Sequence, residues 1–262
     1  MQLSTPPFRV EWSLHPSVLI GVATIGMLYL YAIGPVRRRG ELGPPIERWR
    51  PLCFFAGLAV MLGSLNGPIH DLSDTYLFWV HMAQHLLLTL VLPPLLIAGL
   101  PGWLVERAVG RTAIRQGARI LTHPVFAGAL FSGILLFWHT PSAYQLMMRN
   151  HSVHVLTHLM FMVAAVLVWW PVMSPAPSLP RLSPGMGMLY LFLVQLPMQL
   201  LGAIITFADR PLYSWYVAAP RTWGLSPLDD QKLGGLLMWI PGNLWIWGAM
   251  SVLFFSWAKS EK

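Results

Sequence analysis

Residues 75–98 read TYLFWVHMAQHLLLTLVLPPLLIA. The run contains no Asp, Glu, Lys or Arg. It is long enough to carry one helix across a hydrocarbon core, which needs ~20 apolar residues. Applied to the rest of the chain, the same reading yields seven such runs, at roughly 16–34, 51–66, 75–98, 124–140, 153–170, 186–207 and 232–257. The second and fourth are the shortest. The expected fold is all-α: one polytopic membrane bundle of about seven transmembrane helices, filling residues 1–262 as a single domain.

Composition agrees with that reading. Of 262 residues 55% are apolar and 10% charged, against about 25% charged in a typical soluble domain. Mean hydropathy is +0.57. Such a chain is neither disordered nor a disulfide scaffold. The net charge of +7 does not signal nucleic acid, because the 17 Lys and Arg sit in a few loops between apolar runs. The single Cys53 excludes an intrachain disulfide and a multi-thiolate metal site.

The basic residues also set the expected orientation. With the N-terminus outside and the C-terminus cytoplasmic, twelve of them lie inside, among them Arg37, Arg38, Arg39, Arg48, Arg50 and Arg181. Five lie outside: Arg9, Arg149, Arg210, Arg221 and Lys232. This is the positive-inside asymmetry. The first run lacks a basic n-region before it and a small-residue cleavage site after it, so it reads as a span rather than a cleavable signal peptide. Arg107, Arg111, Arg115 and Arg119 recur every four residues, which predicts one basic stripe on a helix at the inner surface.

Histidine is distributed differently. In that topology eight of nine histidines lie on the outer side or in the outer half of a span: His15, His70, His81, His85, His139, His151, His154 and His158. Only His123 lies inside. The motif HMAQH puts His81 and His85 at i and i+4, on one helix face. Asp74, seven residues before His81, falls on the same predicted stripe. The motif HSVHVLTH puts His151, His154 and His158 on one face of the fifth span, and His139 ends the fourth just before a short loop to that triplet. Three consecutive helices can thus bring imidazoles together near the outer surface. A single histidine in a span is more often a hydrogen-bonded packing residue than a ligand, which is the leading reading for His15, His70 and His123 taken singly. Ionisable residues repeated within the bilayer are costly and usually functional. A metal site or a proton relay would explain them.

The residue types narrow the metal. No HExxH motif is present, and the outer carboxylates Glu11, Asp71, Asp74, Asp209, Asp229 and Asp230 are too scattered for a calcium cage. Imidazole suits copper, zinc, iron and nickel, and thioether suits Cu(I). Met82, Met147, Met148 and Met162 lie near the histidines in sequence and tilt the reading to copper. The expected ligands are His81, His85, His139, His151, His154 and His158, with His15, His70, Asp74 and Met147 as secondary candidates. A b-type haem clamped by two histidines is the main rival. Elsewhere, Gln195 and Gln199 read as interhelical glue, Pro241-Gly242 as a kink that Asn243 can satisfy, and the aromatic outer loop before span seven as a cover over the outer mouth.

Taken in order, HMAQHLLLTLVLPPLLIAGLP (81–101), HPVFAGALFSGILLFWHTPSAYQLMMRNHSVHVLTHLMFMVAAVLVWWPV (123–172), TFADRPLYSWYV (206–217) and GLSPLDDQKLGGLLMWIPG (224–242) resemble the CtaG family of assembly factors for caa3-type cytochrome c oxidases. The resemblance covers about residues 12–257. It implies a non-enzymatic, multi-pass protein of the bacterial plasma (inner) membrane that helps mature a haem–copper oxidase, with copper handling at the matched histidines His81, His85, His139, His151, His154 and His158. Its implied partners are oxidase subunits, an extracytoplasmic copper donor and the lipid membrane, with no nucleic acid. Asp209 and Asp230 fall in the C-terminal signature without a role readable from the sequence. Where the family commonly has Asp-Pro, this chain has His15-Pro16, so His15 is an optional ligand. A haem-binding electron carrier and a copper permease are the alternatives.

Overall fold

The computed structural model describes residues 13–40, 43–221 and 224–260. Arg9, Glu11 and Lys262, which entered the counts above, lie outside them. Among the described residues the regular structure is helical, with no strand. In order, the helices are α1 (Pro16–Tyr31), α2 (Arg37–Gly40), α3 (Trp49–Ser64), α4 (Gly67–Thr75), α5 (Phe78–Leu86), α6 (Leu92–Gly99), α7 (Gly102–Ala108) and α8 (Thr112–Leu121). They are followed by α9 (Pro124–Trp138), α10 (Pro141–Arg149), α11 (His151–Met173), α12 (Pro184–Phe207), α13 (Ser214–Ala218) and α14 (Pro227–Ser260). Pro16, Pro124, Pro141 and Pro184 open their helices, where a missing N–H costs nothing. Asn150 caps α11, its side chain accepting from the Val153 amide at 3.1 Å.

Five helices are long and apolar enough to cross a membrane: Pro16–Gly40, Phe78–Gly99, α11, α12 and Pro227–Lys259. They match five of the seven expected runs. The other two correspond to α3 and α9, with 16 and 15 residues. At 1.5 Å per residue each reaches only ~24 Å, short of the ~30 Å core. Each becomes a span only with a bent companion: α4 follows α3 at 44°, and α8 precedes α9 at 58°. The count is therefore five, or seven with the bent pairs.

Three expectations of continuous or absent structure are corrected. Helix α5 begins at Phe78 and not at Thr75, because the chain breaks at Tyr76–Leu77 after α4. The expected loop between His139 and His151 is the nine-residue helix α10. The arginine stripe is not one helix: Arg107 lies in the last turn of α7, the chain turns through Val109 and Gly110, and Arg111 is extended before α8. Gly110, a weak helix former, sits at that break.

The third span turns on its prolines. A π-helical turn, Leu87–Val91, joins α5 to α6. Pro93 and Pro94 have no N–H, so the Thr89 carbonyl lacks a donor four or five residues on. The Trp169 indole of α11 supplies one at 2.9 Å, locking α11 against this turn. Helices α12 and α14 meet through glycines, as membrane helices do. A Cβ on Gly202 would lie 3.0 Å from the Gly235 carbonyl oxygen, so both positions must stay small. Gln199 donates to Asn243 Oδ1 across this interface at 2.6 Å, the glue expected of it, whereas the buried Gln195 amide has no partner among the described residues. Helix α1 is peripheral, held by Tyr29 stacking on Phe54 and donating to the Gly99 carbonyl.

The two polar populations occupy opposite ends. His81 and His85 lie in the first half of Phe78–Gly99. At its far end Arg50 donates to the Ala98 and Leu100 carbonyls. Arg119 donates to the Ser178 carbonyl beyond the end of α11, while His154 and His158 lie near that helix's start. His123 and His139 cap the two ends of α9.

Candidate metal centre

Helices α5 and α11 face each other across their histidines. His81 and His85 ring centroids are 4.5 Å apart, and those of His154 and His158 are 4.6 Å apart. Across the helices, His81 lies 5.7 Å from His154 and 6.0 Å from His158, and His85 lies 5.3 Å from His158. His158 Nε2 and His154 Nε2 are 2.9 Å apart. All four residues are buried, His81 completely. Both ring nitrogens of His81 and His85, and Nδ1 of His158, have no hydrogen-bond partner among the described residues. Buried polar groups are ordinarily satisfied, so this concentration of open donor atoms is the site's defining feature.

Asp74 joins the cluster from α4. Its Oδ2 lies 3.3 Å from His154 Nδ1 and 3.5 Å from His70 Nε2, and its Oδ1 lies 4.0 Å from His81 Nδ1. Ligand atoms of Asp74, His81 and His154 all fall within 4.8 Å of one another, a spacing that one ion could bridge. The carboxylate arrives there because the chain breaks between α4 and α5, not through the helical stripe predicted for it. His139 extends the cluster, 6.0 Å from His85; its Nδ1 is 2.8 Å from the Leu135 carbonyl and its Nε2 is open. His70 lies 6.2 Å from His154, and His15 packs edge-on against His70 at 4.5 Å. His151 is exposed at the start of α11, about 10 Å along the axis from His158 at 1.5 Å per residue. Met147 is buried among the core side chains. His123, at the opposite end, is exposed.

Residues whose role the sequence does not disclose hold these ligands in place. Gln84, the fourth residue of HMAQH, donates to the Ser64 carbonyl at 2.6 Å and lies 3.3 Å from His70 Nδ1. Such outer partners set a histidine's tautomer and ring angle. Asp230 of α14 accepts from the amides of Phe78 and Trp79 at 3.1 and 3.0 Å. It therefore caps α5, the helix that carries His81 and His85, from a distant part of the chain. That is a positioning role for a signature residue whose sequence context offers none. The loop between α12 and α14 folds over the histidine end of the bundle. Tyr213 donates to the His139 carbonyl, Trp215 to the Asp74 carbonyl and Tyr216 to the Ser73 carbonyl.

The donors are imidazoles with one carboxylate, a set that suits copper or zinc. A haem is a poorer match. A cavity beside His85 and His139 measures about 20 Å³, room for about one water-sized occupant and not for a porphyrin between the packed rings.

Comparison with known proteins gives the chain its family. It is 26% identical over 264 residues to uncharacterized proteins of Mycobacterium bovis and Mycobacterium tuberculosis, covering 93% of this chain and 39% of each of theirs. It is 23% identical over 281 residues to one of Mycobacterium leprae, covering 99% of this chain and 42% of that one. The chain thus spans about two fifths of the length of these relatives. No solved structure matches it. The model of the cytochrome c oxidase caa3 assembly factors matches residues 27–260, most of the chain and all of the histidine cluster except His15; the protein belongs to the Caa3_CtaG family.

Proposed function

We propose that this protein binds copper at its histidine cluster and supplies it to the core of a haem–copper oxidase during assembly. The observation that carries this reading is the set of buried, unpartnered imidazole nitrogens of His81, His85 and His158 beside His154 and Asp74. An oxidase core holds its copper at a buried site, and free copper is scarce and reactive. A membrane-embedded donor can pass the ion by ligand exchange if it holds it only moderately tightly. Imidazoles serve that better than thiolates, which bind Cu(I) more strongly. The role needs no catalytic step. His139, His151, His70, His15 and Met147 are assigned to the approach to this site, since they lie at the same end of the bundle. The test is metal content and absorption of the purified chain after dialysis against Cu(II). About one copper per chain and no Soret band are expected. Haem absorption without copper uptake would overturn the reading.

The proposal includes an orientation in the bacterial plasma membrane, N-terminus outside and C-terminus cytoplasmic, with the histidine end outward where a copper donor could reach it. The bias of Lys and Arg toward the opposite end supports it. In a Cys53→Ser background, single cysteines at positions 70 and 38 are to be labelled in intact cells with an impermeant thiol reagent. Labelling at 70 and not at 38 is expected; the reverse pattern overturns the orientation.

A further inference from the structure

One cavity, which shares His85 with the first cluster, carries thioether donors that the cluster does not use. Below the imidazoles, His85 and His139 share a space of about 20 Å³ with Met82, Met198 and Met238. The three methionines come from α5, α12 and α14 and are 0%, 5% and 3% exposed. Both nitrogens of His85 and Nε2 of His139 have no partner among the described residues. The remaining wall includes Phe131 and Phe161 and contains no carboxylate. Methionine often fills core gaps. Three methionines around a space that also meets open imidazole nitrogens form a ligand set as well as a filler.

We infer that this cavity is a second metal site, selective for Cu(I), with His85 and His139 as imidazole donors and Met82, Met198 and Met238 as thioether donors. Two arguments fix the class of ion. Thioethers are soft ligands that favour Cu(I) over Zn(II). The wall is also neutral, so a divalent ion would bring two uncompensated charges into an apolar interior, a cost that rises with the square of the charge. A monovalent ion brings one. The outer cluster, with the Asp74 carboxylate, has the opposite bias. His85 stands between the two, 5.3 Å from His158 and 6.0 Å from His139, so one imidazole borders both sites.

This inference rests on the proposed copper role for its biological meaning, but its ligands are tested separately. In Cys53→Ser protein every sulfur is a methionine thioether. That protein, loaded anaerobically with Cu(I), is to be measured by X-ray absorption at the copper edge and by copper content. Sulfur scattering and about two Cu(I) per chain are expected. In a Met82→Leu/Met198→Leu/Met238→Leu variant, which nearly conserves volume, the sulfur scattering should vanish and Cu(I) should fall to about half. Cu(II) uptake at the outer cluster should be unchanged. Nitrogen-only scattering in the parent protein, which needs no variant to fold, overturns the inference, as does sulfur scattering that survives in the triple variant. Failure of Cu(II) uptake with retained Cu(I)–sulfur scattering would sink the outer-site reading and leave this one standing.

Discussion

Alanine in place of His81 and His154 together is expected to abolish Cu(II) retention by the purified chain, while His123→Ala leaves it unchanged. The first two residues are buried and share the Asp74 carboxylate; the third is exposed at the other end of α9. Single alanines at His81, His85, His154 or His158 should each weaken binding by more than the ~10–100-fold that loss of an outer-shell partner costs, since an incomplete coordination sphere holds an ion poorly. Asp230→Ala removes no ligand. It uncaps α5 and should cost about 1 kcal/mol in stability and a metal-affinity loss within the ~10–100-fold range. Equilibrium dialysis gives the affinities, and size exclusion in detergent shows whether the variants stay folded. Undiminished copper in a folded His81→Ala/His85→Ala double variant would show that these imidazoles only pack.

Cells lacking this protein are expected to make an oxidase with its haems in place and its core copper depleted. The expectation follows from the division of donors. The cluster offers imidazole and carboxylate to an ion, and the space beside it is too small for a porphyrin. The measurement is the copper-to-haem ratio of oxidase purified from deletion and parent strains. A several-fold fall is expected, partly reversed by added copper, because mass action can replace a carrier when the free ion is abundant. A normal ratio with missing haem would favour haem handling. Normal cofactors with lost subunits would make the protein a scaffold.

Much of this molecule is legible in its sequence. The long apolar runs carried the all-helical membrane class, because a bilayer requires every backbone group to be satisfied within its own helix. The repeats at i+3 and i+4 marked the faces bearing His81 and His85 and His154 and His158, since helical period alone decides which neighbours share a face. Other features were not legible. Span length in residues does not reveal a bend, so α3 and α9 read as complete spans although each is short and needs an angled companion. A regular helix would align Asp74 with His81, whereas a break at Tyr76–Leu77 delivers it to the cluster. The roles of Met198, Met238 and Asp230 are not legible because their partners lie on other helices far along the chain.

The sequence by itself thus determined the class of fold, the end at which the histidines gather and the residues that share each helix face. Only the tertiary structure decided which faces meet. The reason lies in the solvent. In water, apolar residues turn inward and identify the core; in lipid, Leu is equally at home facing tails or neighbours, so composition does not distinguish the two. Helix pairing is then set by small and specific features: the Gly202–Gly235 approach, the Gln199–Asn243 bond, the Trp169 indole on the carbonyl that two prolines orphan, and the Asp230 carboxylate on the start of α5. Each joins residues far apart in the chain. Together they bring α5 against α11, with α12 and α14 beside them, and so turn separate histidine faces into one centre.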